Sequence, residues 1–242
     1  MQTDSGVWIM VSSNIESQLV ISAAYNLSCK RLMRAFFPLK EMASEYPNSQ
    51  FIGIDCDSYV LPTAIMPKNS DFENVNVLDS LPYVDGSFDF VHICDMLIAF
   101  SVEEWSQVLR ECTRVTKPGG WIEYKELYGD IYNKGPTTQK VLIGRTNRHS
   151  KNTEILQLIA SIPDTHNSSI QVLDVPMGSY GGETGRLYKE DWGKIASSIK
   201  HMVLEMNITT LEEWDENVDT MLKEFEEHKT YANYCASIVQ KK

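Results

Sequence analysis

Apolar residues fall in short runs along this chain, each closed by an acid or a turn residue. The stretches "FIGID" at 51–55, "FDFVHI" at 88–93 and "WIEYKEL" at 121–127 have the length and density of buried parallel strands. Between the last two, Val102, Trp105, Val108, Leu109, Cys112 and Val115 recur at helical spacing. Ser101 and Glu104 precede them as a capping box, and Pro118-Gly119-Gly120 stops the helix and turns the chain into the next strand. Further on, Trp192, Ala196, Ile199, Val203 and Met206 line one predicted helix, and Leu211, Trp214, Val218, Leu222 and Phe225 line another behind Thr210 and Glu213. A closing run, "YANYCASIV", reads as a last strand. Strands alternating with helices predict an α/β fold, a doubly wound and mostly parallel sheet, in a single domain over residues 1–242.

Composition narrows what such a domain can serve. With 242 residues, 43% hydrophobic and 23% charged, the chain can bury a full core without staples. A net charge of −11 argues against a nucleic-acid or anionic-membrane surface and leaves a small-molecule site or a protein partner. The five cysteines, Cys29, Cys56, Cys94, Cys112 and Cys235, include no C-x-x-C pair, so neither a metal site nor a disulfide framework is expected. That usage fits a reducing compartment, cytoplasm or nucleus. No apolar run approaches a membrane span, and the N-terminus lacks the basic start and apolar centre of a signal peptide.

In a doubly wound sheet the ligand lies beyond the carboxyl ends of the strands, so the residues that close each strand are the candidates. Asp55 is the sharpest of them, because an acid ending the second strand accepts hydrogen bonds from both hydroxyls of a ribose. Helix capping is the bland alternative for it. Cys56 follows and could line the adenine side. Such an acid needs a glycine turn about 20 residues upstream. The candidate is Gly6, which lies 49 positions before Asp55; without residues 11–40 the separation is 19.

Three blocks, "EMASEYPNSQFIGID", "NVNVLDSLPYVDGSFDFVH" and "VLRECTRVTKPGGWIEYKEL", resemble consecutive segments of class I S-adenosylmethionine-dependent methyltransferases, above all the LaeA-like and UMTA-like fungal family. The tail pieces "VPMGSYGGETGRLY" and "EFEEHKTYANY" resemble that family too. The resemblance implies a Rossmann-like sheet with an antiparallel C-terminal strand, S-adenosyl-L-methionine as cofactor, and a small-molecule or protein methyl acceptor. It places Asn76 and Val77 at the adenine and His92 and Ile93 at the methionine part of the cofactor, with His92 in contact and not in acid–base duty. It also places acceptor-side helices in residues 133–168, and Tyr128 and Tyr132 just before them could close the pocket or merely pack. The family's D-x-G-C-G-x-G motif is absent, and "SGVWIM" resembles only its end.

Rejoining Met10 to Glu41 restores a continuous turn, helix and strand. Residues 11–40 therefore read as a translated, unspliced intron: Val-Ser is what a GTAAGT donor encodes in frame, and Phe36-Phe37-Pro38-Leu39-Lys40 is what a pyrimidine tract ending in AG can encode. The other reading is a genuine insertion, in which "SQLVISAAY" supplies the missing strand beside residues 51–55 and "VWIMVSS" is the less favoured filler. The glycine-rich run at 178–185 is expected to be a loop on the acceptor side. Two functions follow: a methyltransferase impaired in this form, or a methyltransferase-like scaffold that acts through protein partners.

Overall fold

The computed structural model describes residues 8–13, 36–56, 66–94, 96, 100–142, 148–205 and 210–242. Their elements in chain order are β1 (Trp8–Ser13), α1 (Phe36–Glu45), β2 (Gln50–Asp55), β3 (Ser70–Asn74), β4 (Phe88–Cys94), α2 (Val102–Val115) and β5 (Thr116–Tyr132). Then come α3 (Pro136–Leu142), α4 (Arg148–Ala160), β6 (Thr165–Pro176), α5 (Gly182–Glu205), α6 (Leu211–Glu227) and β7 (Tyr231–Lys241). The strands form one seven-stranded sheet in the order β3-β2-β1-β4-β5-β7-β6. This is the doubly wound order, with its reversal point between β1 and β4. Strands β2 to β6 run one way, whereas β1 and the C-terminal β7 oppose both of their neighbours.

The four segments read as strands all lie in this sheet, and β7 is antiparallel as the resemblance implied. The central slot departs from the expectation. It is filled by Trp8–Ser13 and not by "SQLVISAAY", which lies outside the described residues. β1 pairs antiparallel with β2 and with β4, Ile9 standing opposite both Ile54 and Ile93. The physical reason is backbone accounting: β2 and β4 each present a row of N–H and C=O groups toward the slot, and one six-residue strand satisfies both. Residues on either side of Met10 contribute, since Val11, Ser12 and Ser13 extend the strand. Likewise α1 begins at Phe36 and keeps Pro38 in its first turn, where a missing N–H costs nothing.

Each face of the sheet carries its own core. On one, α2 and α4 cover Ile54, Val91, Ile93, Ile122 and Tyr124, with Trp105 at the centre. The α2 start is the capping box read from the sequence: the Ser101 hydroxyl accepts from the Glu104 N–H, and the Glu104 carboxylate accepts from the Ser101 N–H. On the other face, α1 packs Leu39, Met42 and Ala43 against Phe51 and Phe90. Beyond it, α5 and α6 bring Trp192, Met221 and Phe225 onto Leu127 and Tyr234. The outer strand β6 is largely exposed, Ile170 and Val172 included.

The loop between β3 and β4 is fastened to α2 by two charged side chains. Arg114 donates to the Tyr83 and Leu81 carbonyls and to Asp85 and Glu111. Glu111 accepts in addition from the Ser80 hydroxyl and the Leu81 N–H. The Arg114 hydrogen bond, chief among these contacts, holds the Glu111 carboxyl down at about 2 against an ordinary 4.5. A carboxylate depressed in the folded state adds stability above its unfolded value and loses it as pH falls through the folded one. The stability gap between the wild type and Glu111→Gln, measured by urea unfolding, is therefore expected to be full at about pH 6 and to close as pH falls from about 4.5 toward 2.

Candidate functional site

The reversal point fixes where a ligand would sit, and Asp55 closes β2 at that edge. Its residue is 1% exposed, and its carbonyl accepts from the Val75 N–H at 2.9 Å and the Asn74 amide at 3.3 Å. Cys56, the next residue, is exposed. Strand registers put Asn74, Asp55, Cys94, Lys125 and Ala236 in one row across the sheet, with Trp8 opposite Cys94 in between. Gly6 lies outside the described residues.

Three other expected contacts have occupations of their own. The Asn76 carbonyl oxygen accepts from the Leu78 N–H at 3.1 Å and its amide donates to Asp79 at 3.0 Å, so the side chain caps a short 3-10 turn over Val77–Asp79. Val77 and Ile93 are buried in the core beneath α2. Of the pair Asn76 and Val77, the one that remains accessible is the asparagine.

His92 is the surprise of the site. Two rows inward from the carboxyl edge, its Nδ1 lies 2.6 Å from Glu123 Oε2, on the neighbouring strand and in direct register. His92 is 6% exposed and Glu123 1%. Phe90, two residues earlier on the same face, stacks against the imidazole at 6.3 Å between ring centroids and 21° between planes. Burial pushes the Glu123 carboxyl up, but the His92 hydrogen bond and the charges of His92 and Lys125 outweigh it, and the group ends below its ordinary value. Among the described residues, Nε2 of His92 and Oε1 of Glu123 find no hydrogen-bond partner. The sequence reading missed Glu123 and Lys125, both buried on the same face as His92. The signal was present: an acid and a base two apart in an otherwise apolar strand share a face.

Other candidates recede. The 178–185 run is not a loop: Ser179–Gly181 form a 3-10 turn and Gly182 starts α5, so the run joins β6 to a helix. Both Glu226 carboxylate oxygens already accept from the Ser179 N–H. Tyr132 stacks on Tyr231 at 4.9 Å, a surface pair, while the Tyr128 side chain lies outside what is described. Within residues 133–168 lie α3, α4 and the first residues of β6. Burial, with a smaller push from a nearby glutamate, raises the thiols of Cys112 and Cys235 to about 12, which makes them poor nucleophiles. Among the described residues no His, Cys, Asp and Glu group is placed to hold a metal ion, and no helix is long and apolar enough to cross a membrane.

Residues 37–123 match the family described as a methyltransferase domain. Among curated proteins, methyltransferase str2 of Strobilurus tenacellus is 30% identical over 82 residues, 34% of this chain and 28% of that protein. The secondary metabolism regulator laeA of Coprinopsis cinerea is 29% identical over 96 residues, 39% of this chain and 23% of that protein. The aligned stretch thus spans less than a third of either relative. Among solved structures, the YcgJ protein of Bacillus subtilis is similar over 79% of this chain and 81% of its own, with a TM-score of 0.40 and 17% identity. Both the family match and the similarity to str2 are thus to methyltransferase sequences.

Whether the residues suit S-adenosylmethionine has two answers. On the β2 side they do: a buried acid closes the strand where a ribose would be held. On the first-strand side they do not. β1 reaches the carboxyl edge at Trp8, where it starts, and ends at Ser13 opposite Gln50, the start of β2. A turn that leaves the first strand at the carboxyl edge and enters a helix is not formed, because the strand runs the wrong way to make one.

Proposed function

We propose that this chain derives from an S-adenosylmethionine-dependent methyltransferase of the LaeA-like and UMTA-like family and is impaired in its present form. The observation that carries the proposal is the pairing of a buried Asp55 at the reversal point with a first strand of inverted direction. The cofactor, when bound, supplies an electrophilic methyl group. Asp55 would hold the ribose hydroxyls, and Cys56 would border the adenine from the exposed side. The acceptor is a small molecule or a protein. Residues 11–40 are the inserted element, translated from an unspliced intron, and they interrupt the turn, helix and strand that rejoining Met10 to Glu41 restores.

Inversion of β1 also favours a second reading, a methyltransferase-like scaffold that works through a protein partner. Isothermal titration of S-adenosylmethionine separates the two from an intact enzyme. The chain is expected to give no saturable heat at ligand concentrations up to about 1 mM, a bound of roughly −4 kcal/mol. Micromolar binding would sink the impairment reading and assign the cofactor an unconventional first-strand contact.

A further inference from the structure

Two buried polar atoms on the α1 side of the sheet, Nε2 of His92 and Oε1 of Glu123, have no hydrogen-bond partner among the described residues. They belong to a strip of ionisable residues that separates the α1 core from the α5 and α6 core. Asp55, His92, Glu123 and Lys125 lie on this one face, each at most 6% exposed. A sheet face in a folded core ordinarily carries apolar side chains at such positions, and a buried polar atom left without a partner calls for an explanation. A ligand that supplies the missing partner is one.

We propose that His92 and Glu123 form a proton-accepting dyad for a neutral, weakly acidic hydroxyl, an enol or an electron-poor phenol, on the methyl acceptor. The proposal rests on the methyltransferase reading above for the word acceptor and on nothing else in it. An ionised carboxylate can only accept, so the 2.6 Å contact requires the proton to sit on His92 Nδ1. That tautomer leaves a lone pair on Nε2. Phe90, stacked on the ring, and the fixed register of β4 with β5 hold the imidazole in this orientation. A hydroxyl donating to Nε2 satisfies the buried nitrogen.

Charge selects the class of ligand. Asp55 and Glu123 against Lys125 leave the strip one charge negative when His92 is neutral, so a carboxylate or phosphate ligand meets repulsion in a poorly solvated place. An aliphatic alcohol is too weak an acid for imidazole, whereas proton transfer works best between groups of matched acidity. In the step itself the O–H bond breaks, its electron pair stays on oxygen, and the proton bonds to Nε2. The imidazolium keeps its Nδ1–H on Glu123, whose charge then balances it.

The probe is 4-nitrophenol, whose phenolate is coloured, added to the full chain about one pH unit below the probe's own midpoint. A saturable rise in phenolate absorbance is expected, with His92→Gln reducing it about tenfold and Glu123→Gln reducing it less. No saturable rise in the wild type, or an equal rise in His92→Gln, overturns the dyad. Nitrogen-15 spectra of the histidines need no variant. They are expected to show one imidazole with Nδ1 protonated and Nε2 bare, and an Nε2-protonated ring at His92 is the contrary result. Neither readout contains the cofactor, so the failures stay apart: S-adenosylmethionine binding without a phenolate rise removes the dyad alone, and a phenolate rise without cofactor binding leaves the dyad standing.

Discussion

Trp105→Ala is expected to cost about 3–5 kcal/mol, a large share of the roughly 5–15 kcal/mol that holds a domain together. The side chain is fully buried at the centre of the α2 face. Phe100 and Tyr124 meet it edge-on, at 5.5 Å and 5.3 Å between ring centroids and 88° in both cases. Alanine would remove the ring from both pairs and leave a void between helix and sheet. Trp105→Phe separates the causes. It keeps an apolar ring and also deletes an indole N–H that has no hydrogen-bond partner among the described residues. Its loss is therefore expected to be less than half that of alanine, because removing an unsatisfied buried donor offsets part of the lost volume. Urea unfolding of both variants checks this, and equal losses would mean that the retained ring recovers nothing, which overturns this account of the site.

A version lacking residues 11–40 and given a D-x-G-C-G-x-G turn upstream is expected to bind S-adenosylmethionine where the present chain does not. Glycines at such a turn let backbone N–H groups approach the ligand more closely than residues with side chains allow. In that version Asp55→Ala should weaken binding about 100-fold, since hydrogen bonds to a charged acceptor contribute about 1.5–3 kcal/mol each and Asp55 would receive two. Calorimetry on the three proteins reads all of it. If the restored version binds nothing, the scaffold reading gains and the insertion is not what silences the site.

Much of this architecture was legible because buried strands and capped helices announce themselves. Residues 51–55, 88–93 and 121–127 are short, mostly buried runs rich in apolar residues, and the Ser101 and Glu104 pair fixed the start of α2. Strands β3 and β6 escaped notice for the opposite reason. "SDFEN" is short and polar, and "THNSSIQVLDVP" shows no alternation because the outer strand is wet on both faces. Pro118-Gly119 looked like a turn and is instead a bulge inside β5, with Gly119 at a φ of 79° that suits glycine. The place of Asp55 at the end of β2 follows from a rule, whereas the His92 contact with Glu123 depended on the register of two strands 31 residues apart, which no local pattern encodes. The inversion of β1 was equally hidden, since six residues between two strand edges read alike in either direction.

That inverted strand has a consequence for how the molecule comes apart. Among the described residues, β2 and β3 join β4, β5, β7 and β6 in one sheet through Trp8–Ser13 alone. Peeling away β1 would bare two strand edges at once and divide the sheet into a pair and a quartet. Loosening of this one strand is thus a sub-global opening, and it begins beside Asp55 and His92.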